Sequence, residues 1–365
     1  LSAQESTAGK PIGDSATIML NRGTSMAAHA TQTEGVGKAK SWIDYIQKDL
    51  PEHLDWWPYT LGAIPLTLFG LLVGTGLLLT FYYVPSPGRA YESVEQITHE
   101  VYLGWFVRGV HKFSVDLMIL FLLFHVIRVF ITRAYRAPGE LKWVTGSMAL
   151  FVTFAMGFTG YSLIFDNVSY WGMTVVTNMI GALPGIGTPL LYLLRGGEDV
   201  SDITLLRLYD LHTKLLPLLL VVLIGVHVIT VRLIGFAEVA GSRAVHSFYP
   251  VHTLQMGMIA VGLLVLIVDL VMMFPPTLGP PANVQEVASD VSPPWYFSAP
   301  FMVITLLPGP VALWSLLGGA GLFVIYPFVD RELTRRGWPM DAINAAVGTV
   351  VVVAVALLMY LDTQM

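Results

Sequence analysis

The chain has 365 residues, of which 55% are hydrophobic and only 12% charged, with a formal net charge of -5. A soluble domain carries roughly 25% charged residues, so this composition belongs in a bilayer; the small net charge, with no clustered basic face, argues against nucleic-acid binding. The absence of cysteine excludes disulfides, thiolate-held iron–sulfur clusters and thioether-linked cofactors, so any cofactor is held non-covalently.

Residues 1–39, rich in Gly, Ser, Thr, Ala and Gln, read as a mobile tail. The first thirty residues lack a positively charged start followed by an apolar core and cleavage site, so no signal peptide is expected. Residues 40–57 set Trp42, Ile43, Ile46 and Leu50 among charges at helical spacing. That predicts an amphipathic helix lying on the membrane surface or packed on protein. Seven apolar spans follow, near 59–84, 104–136, 142–165, 211–236, 251–274, 301–329 and 340–361. The expected fold is an all-α membrane protein, with a four-helix bundle over 58–240 and three further spans over 241–365.

The second and fourth spans carry the chemistry. His111 and His125 are fourteen residues apart in the second span. At 100° per residue that is about 40° short of four turns, so both imidazoles share a face at depths about 21 Å apart. His212 and His227 are fifteen apart in the fourth span, about 60° past four turns. A lone histidine in a membrane is readily explained as a hydrogen-bonded helix contact, but no other pair among the nine histidines repeats this geometry. Two helices each offering an upper and a lower imidazole make two layers, each able to hold one flat haem iron between two axial ligands. The expected cofactors are two non-covalent b-type haems, one on His111 and His212 and one on His125 and His227.

Glycines echo the interval: Gly62 and Gly76 in the first span, and Gly146 and Gly160 in the third, are also fourteen apart. A glycine lets the backbone approach a flat ring closely, although membrane helices are rich in glycine for packing reasons too. Arg108, Lys112, Arg128 and Arg207 lie near the histidines and helix ends, where a haem propionate needs a cation or where a long side chain reaches the headgroups.

Between the third and fourth spans, 160–196 is too apolar and aromatic for a solvated linker and is broken by Gly and Pro, which reads as short helices on the outer surface. Between the fifth and sixth, Pro293, Pro294, Trp295, Tyr296 and Phe297 form a rigid aromatic turn, suited to a quinone head or to an interfacial aromatic belt. Arg133, Arg136, Lys142, Arg232, Arg243, Arg331, Arg335 and Arg336 fall on one side of the spans; Glu92, Glu95, Glu100, Glu198, Asp199, Asp202, Glu286 and Asp290 fall on the other. The positive-inside bias then puts the N-terminus and the basic loops on the cytoplasmic side of a bacterial-type cytoplasmic membrane, with the His111–His212 layer near the outer face.

The segments YTLGAIPLT, TFYYVPS, GWFVRGVHKFS, HVIRVFIT, LKWVTG, GYSL and LRLYDLHTKLLPLL resemble the Rieske/cytochrome b family. The part from Lys40 to about Gly235 resembles cytochrome b6 and the remainder resembles subunit IV, as a fused chain. The fifteen-residue interval and the seven spans resemble the b6-type branch. The resemblance implies a quinol:cytochrome c (or similar acceptor) oxidoreductase subunit. Quinol would be oxidised at an outer site, one electron passing to a Rieske iron–sulfur protein and the other across both haems to an inner quinone site, coupled to proton translocation. It implies a homodimeric complex with Rieske and cytochrome c-type partners in membrane lipid. By position it assigns Tyr161, Trp171, Gly172 and 293–297 to the outer site, and Arg232, His246 and His252 to the inner one. A di-haem anchor serving a peripheral dehydrogenase, without a bifurcating outer site, is the alternative. The chain departs from the family in three places. Thr60 replaces the cysteine that binds an extra haem in b6, so no covalent haem is expected. Pro294 replaces the PEWY glutamate, leaving its proton-accepting role to Asp166, Glu286, Asp290 or water. Ile164 replaces the proline that ends GYSLP.

Overall fold

The computed structural model describes residues 49–51, 57–235, 245–285 and 293–364. The expected tail at 1–39, most of the helix expected at 40–57, Arg243, Glu286 and Asp290 lie outside the described residues. The elements in chain order are β1 (Asp49–Pro51), α1 (Trp57–Thr60), α2 (Ala63–Thr80), α3 (Ala90–His99), α4 (Gly104–Ile131) and α5 (Glu140–Ser162). Then come α6 (Asn167–Gly181), α7 (Gly187–Arg195), α8 (Asp202–Asp210), a π-helical turn (Leu211–Leu215) and α9 (Leu216–Ile234). β2 (Val245–Ser247), α10 (Thr253–Met273), α11 (Trp295–Leu306), α12 (Gly309–Arg335) and α13 (Met340–Asp362) complete the chain. Seven helical stretches are long and apolar enough to span a membrane: α2, α4, α5, Asp202–Ile234, Tyr249–Met273, α12 and α13. The fold is the all-α membrane architecture that the hydropathy pattern predicts.

The structure departs from expectation in two elements. Residues 49–51, placed in the amphipathic helix by periodicity, instead form a strand antiparallel to β2, with Leu50 opposite His246. Pro51 has no N–H for a helix and disfavours the α conformation in the residue before it. The sixth span, expected from residue 301, is broken: α11 stops at Leu306, Leu307 is extended (φ -112°, ψ 147°) and α12 begins at Gly309. Pro308 imposes the same restriction on Leu307 there.

Between helices in lipid there is little hydrophobic drive, so packing and polar contacts hold the bundle. Leu77, Leu218 and Val350 stay exposed on the outer faces, whereas Leu61, Leu68, Met118, Leu220, Ile267 and Val271 form a shared core of α2, α4, α9 and α10. The α4–α10 approach is close: a Cβ on Gly109 would stand 2.7 Å from Val271 Cγ1. At one end of the bundle, Ala90, Leu163, Phe165, Met173, Leu205 and Leu208 pack the short helices α3, α6 and α8 over the end of α5. Arg195, 3% exposed, ties α6 to the loop before α8 by donating to Thr177 Oγ1 (2.8 Å), the Thr174 carbonyl (2.8 Å) and the Glu198 carbonyl (2.7 Å). A buried cation is tolerable only with its donors satisfied in this way.

At the opposite end a polar network joins the first four spans to the last two. Arg136 pairs with Asp330 at 2.8 Å and with Asp341 at 3.0 Å. Asn344 Nδ2 donates to Asp330 Oδ1 (2.8 Å) and to the Tyr135 hydroxyl (2.9 Å), and Tyr326 bonds Asn344 Oδ1. The Trp143 indole N–H donates to the Phe323 carbonyl at 2.7 Å. The basic loop at 132–139 therefore lies beside the start of α13, grouping the arginines as the charge pattern predicts.

Candidate functional site

Helix α4 lies against α2, and α9 lies against α5, so the two histidine-bearing helices face each other inside a four-helix bundle. His111 and His212 have ring centroids 6.4 Å apart with planes at 68°; His125 and His227 have centroids 6.5 Å apart with planes at 80°. These gaps are too wide for a direct ring-to-ring hydrogen bond, whose nitrogens approach to about 3 Å. They suit a metal between the rings: imidazole nitrogens bind first-row metals at about 2.0 Å and stand about 1.1 Å from their own centroid, giving roughly 6 Å. The donor set fits the group, since neutral imidazole is a haem ligand.

The fifteen-residue interval is accommodated locally. His212 sits in the π-helical turn Leu211–Leu215, which spreads five residues over little more than one turn and takes up the overshoot that a regular helix would give. Both imidazoles of the fourth span can then point into the bundle.

Each glycine singled out by interval backs onto one of these rings. A Cβ would stand 3.1 Å from His125 Cε1 at Gly62, 3.3 Å from His111 Cε1 at Gly76, 3.0 Å from His227 Cε1 at Gly146 and 2.5 Å from His212 Cε1 at Gly160. Gly70 and Gly74 on the same helix as the first two have nothing within 4 Å, which separates the four from ordinary membrane glycines. The residues that composition and spacing did not flag are the threonines just before three of them. Thr75 Oγ1 lies 2.9 Å from His111 Nδ1, Thr145 Oγ1 3.2 Å from His227 Nδ1 and Thr159 Oγ1 3.2 Å from His212 Nδ1. The signal that would have found them is a Thr–Gly dipeptide repeated at three of the four positions.

The four cations are not equivalent. Arg108 donates to the carbonyls of Pro276 (2.9 Å) and Thr277 (3.2 Å), holding the chain after α10 against α4. Lys112 pairs with Asp116 at 2.7 Å, and Arg207 caps α7 through the Tyr192 and Leu193 carbonyls. Arg128 stacks over Tyr59 at 5.2 Å, and its buried Nε finds no hydrogen-bond partner among the described residues. Arg128 alone of the four thus keeps a buried donor atom uncommitted.

The aromatic turn packs on α5, the helix whose last turn carries Tyr161. Tyr296 packs on Gly157 of α5, where a Cβ would stand 3.2 Å from its ring, and a Cβ at Gly172 of α6 would stand 3.5 Å from Tyr161 Cε1. Phe297 lies against Phe154 at 6.0 Å, and Trp171 against Tyr170 at 5.3 Å. Pro293 and Pro294 lead into α11, with Pro294 extended at ψ 142° as its N-cap. Trp295 donates its indole N–H to Asp116 at 3.1 Å, a carboxylate that sequence reasoning did not single out because it stands in the middle of an apolar span. Burial, and then the charge of Asp116, push the Tyr296 phenol above its usual range, so it stays a protonated donor. Asp166 is already used: its carboxylate caps α6 through the Ser169 N–H at 2.9 Å. Of the inner-site residues, Arg232 lies in the last turn of α9, His246 in β2 and His252 just before α10. At that end Lys142 donates to the Gly235 carbonyl at 3.0 Å, closing the end of α9.

A seven-span bundle with paired imidazoles between its second and fourth spans defines an integral membrane cytochrome. A family model described as cytochrome b/b6/petB matches residues 45–235. That is more than half of the chain, which belongs to the cytochrome b/b6 family. Among solved structures, a chain of one described as a hyperthermophilic respiratory complex III superposes with a TM-score of 0.71. The match covers 87% of this chain and 92% of that one at 23% identity, a likeness of fold. Family membership implies b-type haem and a place in membrane electron transport.

Proposed function

We propose that the chain is the di-haem cytochrome b subunit of a quinol-oxidising bc-type complex. The observation that carries this reading is the pair of imidazole gaps of 6.4 and 6.5 Å at two depths of one bundle. His111 and His212 hold the outer haem and His125 and His227 the inner one, with Gly62, Gly76, Gly146 and Gly160 giving the rings room. When bound, the haems supply one-electron carriers across the membrane.

The protein's own part is orientation, exclusion of water and proton handling. Tyr161, Gly172, Tyr296 and the rest of the 293–297 turn would supply the apolar, aromatic surfaces against which a flat quinol ring binds at the outer end of α5. Asp116, beside Trp295 and Tyr296, stands where Pro294 leaves no carboxylate on the turn itself, and is the described carboxylate placed to accept a proton there. Asp166 is held by its capping role. One electron leaves to a Rieske protein and a cytochrome c-type acceptor; the other crosses to an inner quinone site near Arg232, His246 and His252, coupled to proton translocation. The di-haem domain is 58–240 and the subunit IV-like domain 241–365, in a homodimeric complex.

The test is a pyridine haemochrome count on the complex isolated from membranes, repeated for His111→Ala and His227→Ala. Two non-covalent b haems with one lost from each variant is the expected result; one haem or none in the unmutated protein overturns the reading. Inhibitors of quinol oxidation then separate the bifurcating enzyme from a di-haem anchor, in which they have no effect.

A further inference from the structure

Helix α10 has two opposite faces. Leu263, Ile267 and Val271 are buried and join the core shared with α2 and α4. Asp269, two positions from both Ile267 and Val271, lies about 160° round the helix from each at 100° per residue, and is exposed. Around it on that face stand Met258, Val265, Leu266, Met272 and Met273, all exposed. Gly262 is on the same face, and a Cβ there would meet nothing within 4 Å.

A carboxylate in this setting is unusual. The stretch Tyr249–Met273 is long and apolar enough to cross a bilayer, and Asp269 sits only about 6 Å short of its last residue at 1.5 Å per residue. Exposed apolar side chains flank it along the axis, Val265 and Leu266 one turn before and Met272 and Met273 one turn after. Its single methylene is too short to carry the charge to the headgroups as the long stems of Lys and Arg do. Nor does it support its own helix, because the dipole disfavours negative charge near a C-terminus. No hydrogen bond or ion pair joins Asp269 to another described residue. Asp116 and Asp210, in other spans, are by contrast paired with Lys112 and Lys214. An ionisable group on a membrane helix is costly unless it meets a partner.

We infer that this face of α10 docks a membrane helix of a separate subunit, which sets a lysine or arginine against Asp269. Gly262, about two turns along from Asp269, lets the two backbones approach closely. Charge selects the occupant. A lipid tail offers no donor to a carboxylate. A second copy of this chain in a two-fold contact would bring Asp269 against Asp269, two like charges in a medium that screens them poorly. A head-to-tail copy needs a spare cation, yet Lys112 and Lys214, the exposed lysines of the described spans, are already paired. The ion pair also fixes the depth and rotation of the docked helix, which an apolar stripe alone leaves open.

The experiment places a photo-crosslinking amino acid at position 265 or 272 of the whole complex in its own membrane. It is done with Asp269 present and in Asp269→Leu and Asp269→Glu, and the crosslinked peptides are sequenced by mass spectrometry. Leucine is readily accommodated on a lipid-facing helix, and an unchanged haem spectrum in each variant verifies the fold. Both positions are expected to capture the same membrane segment of one other subunit, a segment that contains Lys or Arg. The yield should fall about tenfold in Asp269→Leu and be retained in Asp269→Glu. Crosslinks to lipid alone or to a second copy of this chain overturn the inference. So does a captured segment without a cation, a yield unmoved in Asp269→Leu, or a yield lost equally in Asp269→Glu.

Discussion

The Trp295 indole donates to the Asp116 carboxylate at 3.1 Å, tying the aromatic turn to α4 five residues beyond His111. Asp116 also pairs with Lys112, but Lys112 is 53% exposed, and such an i,i+4 pair is worth only about 0.3–0.5 kcal/mol. Asp116→Ala should leave both haems in place while lowering kcat for quinol oxidation, because the proposed proton acceptor is lost, and raising the KM severalfold, because the part-buried indole N–H loses an acceptor worth about 1 kcal/mol. Lys112→Met should change KM little. Steady-state quinol oxidation with haem counts on both variants checks this, and equal effects from the two would refute it.

The glycines make a sharper prediction. At Gly160 a new Cβ would fall 2.5 Å from His212 Cε1, whereas at Gly70 it would meet nothing within 4 Å. Gly160→Ala should therefore displace the His212 ring and cost the outer haem, and Gly70→Ala should be silent. Haem per polypeptide and the optical spectrum of the remaining haem distinguish the two.

The network around Asp330 should govern how firmly the last two spans are held. Asp330 is 1% exposed, pairs with Arg136 and accepts from Asn344. Removing one partner of a buried pair costs about 3–5 kcal/mol, reduced here because Arg136 is part-exposed and retains Asp341. Asp330→Ala should lower the Tm of the detergent-solubilised complex by several degrees, and Asp341→Ala, at the exposed side, by much less. A Tm loss as large for Asp341→Ala would place the stabilisation elsewhere.

The π-helical turn can be tested by shortening it. Deleting Lys214, an exposed residue of the turn, leaves the two histidines of this span fourteen positions apart. Four residues in α geometry then do what five do in π geometry, and both haems should still be bound. Loss of the outer haem from this variant would show that the extra residue does more than take up the overshoot.

Much of the bundle was legible from residue order, because the quantities that carried it are local. Helical period fixes which residues share a face, so the histidine intervals identified the two helices. Hydropathy located the seven spans because a span's length is set by bilayer thickness. Local rules also explain where reading failed. Periodicity outweighed Pro51 and assigned a helix where a strand forms, and it carried the sixth span through Pro308. Contacts made by Arg108 and Arg207 lay beyond local rules: Arg108 donates to the Pro276 and Thr277 carbonyls, far off in sequence, and Arg207 to the Leu193 carbonyl of the preceding short helix.

By itself, then, the sequence determined that two helices each present an upper and a lower imidazole, and that no cysteine is available for a thioether link. Only the tertiary structure decided what each ring meets. A π turn re-aims His212, threonine hydroxyls of neighbouring helices come within hydrogen-bond distance of Nδ1 of three rings, and Asp116 meets Trp295 across 179 positions of chain. Hydrogen bonds and close contacts depend on distances between helices, and no period along one helix encodes those.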